Sequence, residues 1–237
     1  MSYEIEVVLV DVGNTSTKSA EVVEGKIVNE KRWDDIGELD GYYADDIAFC
    51  VCNTGKKELT LQKRRSMVVD KDAPLGLKLD YHTPETLGSD RIAAAVGCYE
   101  LFPNQNSLLI DFGTCITMDV ISKEGEFKGG VIAPGLKMRM HSMSKFTANL
   151  PDISNEWESL EKNLLGKSTK ECLQSGSYFG IIHEINGLKS QLASEFTSLN
   201  VILSGGDAHY FESKVKAHIF AGSKIVLTGL YRIWKNQ

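Results

Sequence analysis

EVVLVDVG at residues 6–13 and NSLLIDFG at residues 106–113 decide how this chain folds. Each is an apolar run of strand length that ends in Asp-x-Gly, and the two lie about 100 residues apart. After each come a Thr-containing turn, a second apolar run, a Glu-Gly turn and a third strand-like run. The first copy reads DVGNTSTKSAEVVEGKIVNEKRW from Asp11, and the second DFGTCITMDVISKEGEFKGGVIAP from Asp111. Glu24-Gly25 follows Asp11 at the same interval as Glu124-Gly125 follows Asp111. Strand, hairpin, strand, tight turn and strand make a three-stranded antiparallel meander. Two meanders in register predict a duplicated α/β chain, with an N-terminal domain over 1–104 and a C-terminal domain over 105–237.

Working outward, IAFCVCN (47–53) reads as a further strand, followed after TPETLG by a helix from about Asp90 to Leu101 with Ala93, Ala94, Ala95 and Val96 on its apolar side. In the second copy GGVIAPGLKMRMHSMSKF leads from a strand into a helix after Gly135. Helical patterns follow around 168–194, then the strand NVILSGGDA and a final apolar run, KIVLTGLYRIW. Pro151 to Ser159 is polar and turn-rich, the segment expected to be a mobile loop.

Composition excludes several classes. The chain of 237 residues has 42% hydrophobic and 24% charged residues, the balance of a globular protein, and no run approaches the ~18 apolar residues of a membrane helix. The N-terminus MSYEIEVVLVDVG carries no basic leader and reads against secretion. Five cysteines, Cys50, Cys52, Cys98, Cys115 and Cys172, lie mostly in apolar runs, as reduced thiols of a cytoplasmic protein do. Cys50 and Cys52 form C-x-C, yet no second Cys or His pair completes a zinc site. A net charge of −6 gives no footprint for nucleic acid, and the short basic cluster Lys63-Arg64-Arg65 reads as solvated surface. The histidines, His82, His141, His183, His209 and His218, show neither metal spacing nor a nucleophile elbow.

Four segments have the residue types for chemistry. Asp11-Val12-Gly13-Asn14-Thr15-Ser16-Thr17-Lys18 combines a glycine for close backbone approach, hydroxyls and amides as donors, a cation, and a carboxylate able to hold Mg²⁺. That is what a phosphate-binding hairpin needs, although a polar hairpin with turn hydrogen bonds has the same composition. Asp111-Phe112-Gly113-Thr114 is its counterpart, expected to face it across a cleft, with Thr114 a phosphate donor and Asp111 a cation ligand. A solvated Asp at a strand end is the plainer reading. Gly88-Ser89-Asp90-Arg91 is either an N-cap with Arg91 on the surface or a general base beside an anion clamp at a helix start. Ser204-Gly205-Gly206-Asp207-Ala208 would let adenine and ribose lie against the backbone, or is a structural turn.

In order and spacing, D-x-G-N-T, G-x-D-R, D-x-G-T, G-G-V-I-A-P-G, G-K-S-T and S-G-G-D-A resemble the type III pantothenate kinases over nearly the whole chain. The resemblance implies the superfold of acetate kinase, sugar kinases, heat-shock protein and actin. This is a duplicated RNase H-like (actin-like ATPase) α/β fold of two domains, with mixed five-stranded sheets flanked by helices, assembled as a homodimer. It implies that Asp11, Val12, Gly13, Asn14, Thr15, Ser16, Thr17 and Lys18 bind the ATP phosphates, with Asp11 directed at Mg²⁺, and that Thr114 also contacts ATP. Asp111 matches the family's monovalent cation ligand, for K⁺ or NH₄⁺. Tyr81, Gly88, Ser89, Asp90 and Arg91 match the pantothenate-binding positions, with Asp90 the proton acceptor and Arg91 the partner of the substrate carboxylate. Thr169 matches the threonine that in the family reaches pantothenate across the dimer interface. Ser168, Ser204 and the C-terminal T-G-L depart from the commoner Asn, Thr and K-G-L.

The expected reaction is in-line attack of pantothenate's primary hydroxyl on the γ-phosphate of ATP, in which the protein mainly positions groups and neutralises charge. Two other readings share these features. One is another small-molecule kinase of the superfold, and the other an inactive kinase-like accessory protein, against which Asp11, Asp90 and Asp111 argue.

Overall fold

A computed structural model describes residues 4–34, 36–55, 65–215, 219–220 and 224–237. Lys63, Arg64 and His218 lie outside the described residues. The first sheet is built on β1 (Val7–Val12), antiparallel to β2 (Thr17–Val23) and parallel to β4 (Phe49–Asn53). With β3 (Lys26–Trp33) beside β2 and β5 (Ser66–Val68) beside β4, its order is β3-β2-β1-β4-β5.

The second sheet uses β7 (Ser107–Phe112), β8 (Cys115–Ile121), β9 (Glu126–Pro134), β10 (Asn200–Ser204) and β11 (Ile219–Phe220) in the order β11-β10-β7-β8-β9. Counted from its own first strand, each sheet therefore reads 3-2-1-4-5. The duplication is one of topology as well as motif, and the fold is the expected duplicated RNase H-like α/β class. A two-residue strand, β6 (Lys78–Leu79), extends the second sheet beyond β9 in parallel register, with Lys78 opposite Glu126.

The two Glu-Gly turns differ. Glu24 and Gly25 both have positive φ, 48° and 72°, and close a two-residue hairpin of the twist-matched kind. In the second copy the loop is longer: Gly125 alone is left-handed, at φ 77°, and its amide donates to the Ser122 carbonyl at 3.0 Å.

By packing, the chain forms two compact units, one of Met1–Ser107, Asp119–Gly129 and Ser223–Gln237, the other of Leu108–Met118 and Gly130–Gly222. In the first, Val8, Val10 and Val12 pack with Trp33, Tyr43, Phe49, Val51 and Leu39, the last from α1 (Ile36–Tyr42). The opposite face meets α6 (Lys224–Lys235), where Cys50 Sγ lies 3.4 Å from the Leu230 carbonyl. Burial on both faces explains why β1 is a continuous apolar run rather than an alternating one.

The final run KIVLTGLYRIW is thus a helix, and it crosses α2 (Ser89–Leu101) at two glycines. A Cβ on Gly229 would sit 2.7 Å from the Ala93 carbonyl carbon and 2.9 Å from the Gly97 amide nitrogen. The glycine of T-G-L is there because two helix backbones touch.

In the second unit Phe112 stacks on Phe211 (4.8 Å, 9°), Phe211 on Tyr178 (5.2 Å) and Tyr178 on Trp157 (6.3 Å). This ladder corrects the expectation of a mobile loop over 151–159. Ile153 and Trp157 are buried, and Gln174 Nε2, from α4 (Thr169–Leu192), donates to the carbonyls of Trp157 and Leu160 at 2.7 and 3.1 Å. The segment's polar majority hid two core anchors. α3 (Leu136–Lys145) packs on α4 through an Arg139–Glu184 ion pair of 2.5 Å, and a short α5 (Glu212–Val215) follows β10. No helix among the described residues is long and apolar enough to cross a membrane.

Candidate active site

In the first unit the relevant groups collect at the C-terminal ends of the parallel strands β1 and β4, the edge at which open α/β sheets bind ligands. Hairpin register sets Asp11 opposite Lys18, and Gly13 N–H donates to the Ser16 carbonyl at 3.1 Å to close the turn. Asn14 and Thr15 are exposed at the tip, while Val12 and Thr17 point into the core. On its other side Asp11 pairs with Cys52, whose thiol donates to Asp11 Oδ1 at 3.4 Å. Burial pushes the Asp11 carboxyl above its usual range; Lys18 and the thiol oppose this, and the nearby Asp90 adds to it.

The loop after β4 ties this hairpin to α2. Thr54 and Gly55 amides donate to the Val12 carbonyl at 3.0 and 3.1 Å, and Asn53 N–H donates to Ser89 Oγ at 2.9 Å. Thr54 Oγ1 reaches Asp90 Oδ2 at 3.4 Å, while Asp90 Oδ1 accepts the Arg91 amide at 2.8 Å. Neither reading of an Asp or Ser N-cap holds: the cap is Gly88, with no side-chain cap bond, because the Ser89 hydroxyl is engaged by Asn53 and the Asp90 carboxylate by Thr54 and its own neighbour.

Arg91 is likewise not a surface residue. It is 7% exposed, and its Nε donates to both oxygens of Asp119 (3.2 and 3.1 Å) while Nη2 donates to Oδ1 at 2.5 Å. The guanidinium lies 5.6 Å from the centre of the Phe127 ring, against which Tyr81 packs edge-on at 5.9 Å. Burial raises the Asp119 carboxyl above its ordinary value, and Arg91 opposes the rise. The structure therefore brings Asp11, Lys18 and Asp90 to one edge, with Tyr81 and Arg91 adjoining through Phe127.

Sequence reasoning missed Cys52, Asn53, Thr54, Asp119 and Phe127. The first three carried a signal: N-T-G directly after an apolar strand repeats the pattern of D-x-G after β1. Asp119 carried none, since an Asp inside a strand pattern reads as solvent-facing.

Asp111, Thr114 and Thr169 belong to the second unit. Gly113 N–H donates to the Cys115 carbonyl and Gly135 N–H to the Thr114 carbonyl, each at 3.1 Å, so α3 starts against this hairpin and leaves the Thr114 side chain exposed. Asp111 is half-buried at the strand end. Thr169 is exposed at the first residue of α4, just inside a side-chain cap: Ser168 Oγ accepts from Glu171 N–H at 3.3 Å, and Glu171 Oε2 accepts from the N–H of Lys167, one residue before the cap, at 2.7 Å. Serine for the commoner asparagine at 168 exchanges one good cap for another.

Gly205 has φ 93°, and a Cβ there would collide with the Phe112 backbone, so the first glycine of S-G-G-D-A is structurally required. Gly206 meets nothing within 4 Å. Burial raises the Asp207 carboxyl, against Lys137 and His209. Among the described residues no group of three or more His, Cys, Asp or Glu could hold a metal ion by itself.

The family model for type III pantothenate kinase matches residues 56–191. A type III pantothenate kinase from Cytophaga hutchinsonii is 35% identical over 231 residues, 95% of this chain and 97% of that one. One from Bacteroides fragilis is 34% identical over 235 residues, covering 95% and 96%. Among solved structures, a ROK family glucokinase from Streptomyces griseus in complex with glucose and AMPPNP aligns with a TM-score of 0.52 at 13% identity, over 96% of this chain and 98% of that one.

Proposed function

Because the chain belongs to the type III pantothenate kinase family, it phosphorylates pantothenate with ATP in the first step of coenzyme A biosynthesis, and we propose that Asp90 accepts the proton of the attacking hydroxyl. The primary hydroxyl oxygen bonds to the γ-phosphorus as the bond from that phosphorus to the β,γ-bridging oxygen breaks. The proton passes to the Asp90 carboxylate, and ADP and 4′-phosphopantothenate leave. In a loose transition state the proton departs late, so an oriented carboxylate suffices. Thr54 and the Arg91 amide hold Asp90 by both oxygens.

The observation that carries this reading is the gathering of Asp11, Lys18 and Asp90 at one strand edge. Lys18 and the donors of Asn14, Thr15 and Ser16 bind the ATP phosphates, Gly13 lets the backbone approach them closely, Val12 and Thr17 shape the hairpin through the main chain, and Thr114 adds a contact to ATP. Asp11 suits Mg²⁺: it is a hard oxygen donor, desolvated, and Mg²⁺ is commonly held by one or two carboxylates plus substrate phosphates. Bound there, the ion would neutralise phosphate charge. Asp111 offers the same donor chemistry to K⁺ or NH₄⁺.

Gly88 and Ser89 present the acceptor to Asp90, Arg91 takes the pantothenate carboxylate, and Tyr81 flanks it. Thr169 completes the acceptor site from the partner of a homodimer. Support for the dimer comes from exposed apolar side chains on the unit that carries Thr169, notably Phe146 (82% exposed) and Leu165 (83%). The enzyme acts in the cytoplasm, and 104/105 is the boundary of its duplicated segments.

The test is a coupled ADP-release assay with pantothenate and a panel of sugar, acetate and glycerol acceptors, run in K⁺ and then in Na⁺. Turnover that needs pantothenate and falls in Na⁺ is expected. Turnover indifferent to pantothenate refutes the substrate, and indifference to the ion refutes the role of Asp111.

A further inference from the structure

We infer that Asp119 is a positioning residue for acceptor recognition, holding the Arg91 guanidinium by one edge so that its other edge meets the acceptor's carboxylate. This rests on the reading of Arg91 given above. A guanidinium has five N–H donors in a rigid fork. Asp119 engages Nε–H and one Nη2–H side-on, which fixes the plane of the fork and leaves the Nη1 edge for a second planar anion.

Two further groups restrict that plane. The Phe127 ring lies under the guanidinium, and Tyr81 packs edge-on against that ring. Because β8 supplies Asp119 and β9 supplies Phe127, the second repeat builds the wall against which a residue of the first is held.

Charge makes the arrangement necessary. An arginine only 7% exposed would be costly to bury alone, and Asp119, 1% exposed, supplies its counter-charge. With that pair close to neutral, discrimination in favour of a carboxylate depends on the direction of the remaining N–H bonds rather than on bare charge. A guanidinium set in advance also loses little freedom on binding.

The experiment compares kcat/KM for pantothenate with that for pantothenol, which carries an alcohol in place of the carboxylate. In Asp119→Asn the ratio should fall about tenfold, through a higher KM for pantothenate with kcat changing much less, the pattern of lost uniform binding. Asp119→Glu keeps the charge but displaces it by one methylene, and the same fall is expected; this variant decides if the asparagine chain does not fold. An unchanged ratio in a folded Asp119 variant, or equal losses on both acceptors, overturns the inference. Arg91→Lys separates the two claims. Collapse of the ratio there but not in the Asp119 variants refutes positioning alone, whereas no change there refutes the role of Arg91 itself.

Discussion

Replacing Gly229 by alanine sets two effects of opposite sign against each other. Propensity alone favours alanine in a helix interior by about 1 kcal/mol. Sterics oppose it, since the new Cβ would collide with the Ala93 carbonyl oxygen and lie 2.7 Å from the Ala93 carbonyl carbon and 2.9 Å from the Gly97 nitrogen, all in the backbone of α2. Carbon atoms rest at about 3.5–4.0 Å and the carbonyl oxygen is nearer still, so the helices must part by at least roughly 1 Å. No rotamer relieves a contact with main chain. Overpacking of this kind costs about 1–3 kcal/mol, and the upper end applies, leaving a net loss of about 2 kcal/mol.

That loss is a Tm decrease of about 4–8 °C for a chain of this size. Because α2 begins at Ser89 and carries Asp90 in its first turn, a displaced helix should also lower kcat, by up to about 10²-fold for a 1 Å error. Gly187 in α4 is the control, as a Cβ there meets nothing within 4 Å. Gly187→Ala should therefore stabilise by up to about 1 kcal/mol. Denaturant melts of both variants and steady-state kinetics of the first decide the matter. A Gly229→Ala protein as stable and as fast as the parent would refute the reasoning.

Three other outcomes are expected. Burial raises the folded pKa of Asp11 above its unfolded value, so its contribution to stability is fully present below the unfolded value and is lost as pH rises through the folded one. The rise in Tm on adding Mg²⁺ should grow over that same interval and be absent from Asp11→Asn; an equal increment in that variant would exclude Asp11 as the ligand. Ser168→Ala should cost about 1 kcal/mol in a denaturant melt through loss of the cap on α4, and an unchanged midpoint would show that the Ser168 cap contributes nothing. Thr54→Val removes the hydroxyl that reaches Asp90 and should lower kcat about fivefold, equivalent to about 1 kcal/mol, whereas an unaltered kcat would show that Asp90 needs no such support.

What could be read without coordinates was whatever is local in the chain. EVVLVDVG and NSLLIDFG were legible as central strands because a strand buried on both faces must be apolar at every position. The equal spacing to two Glu-Gly turns was enough to recover the duplication and the three-stranded meander that opens each copy, while the places of the fourth and fifth strands in the 3-2-1-4-5 order came from the structure. Asp11 and Asp90 stood out because each lies two residues from a glycine at an element end.

What sequence left open was decided by partners distant in the chain. Arg91 reads equally as surface or clamp until Asp119, 28 residues on, neutralises it in the core. Gly229 is an ordinary helix-weakening glycine until Ala93 and Gly97 lie against it. The 151–159 segment is a polar loop until Trp157 joins the aromatic ladder. Strand register, turn chemistry and apolar patterning are set by neighbours in sequence, whereas burial of a charge or contact of two backbones depends on what the completed fold places opposite.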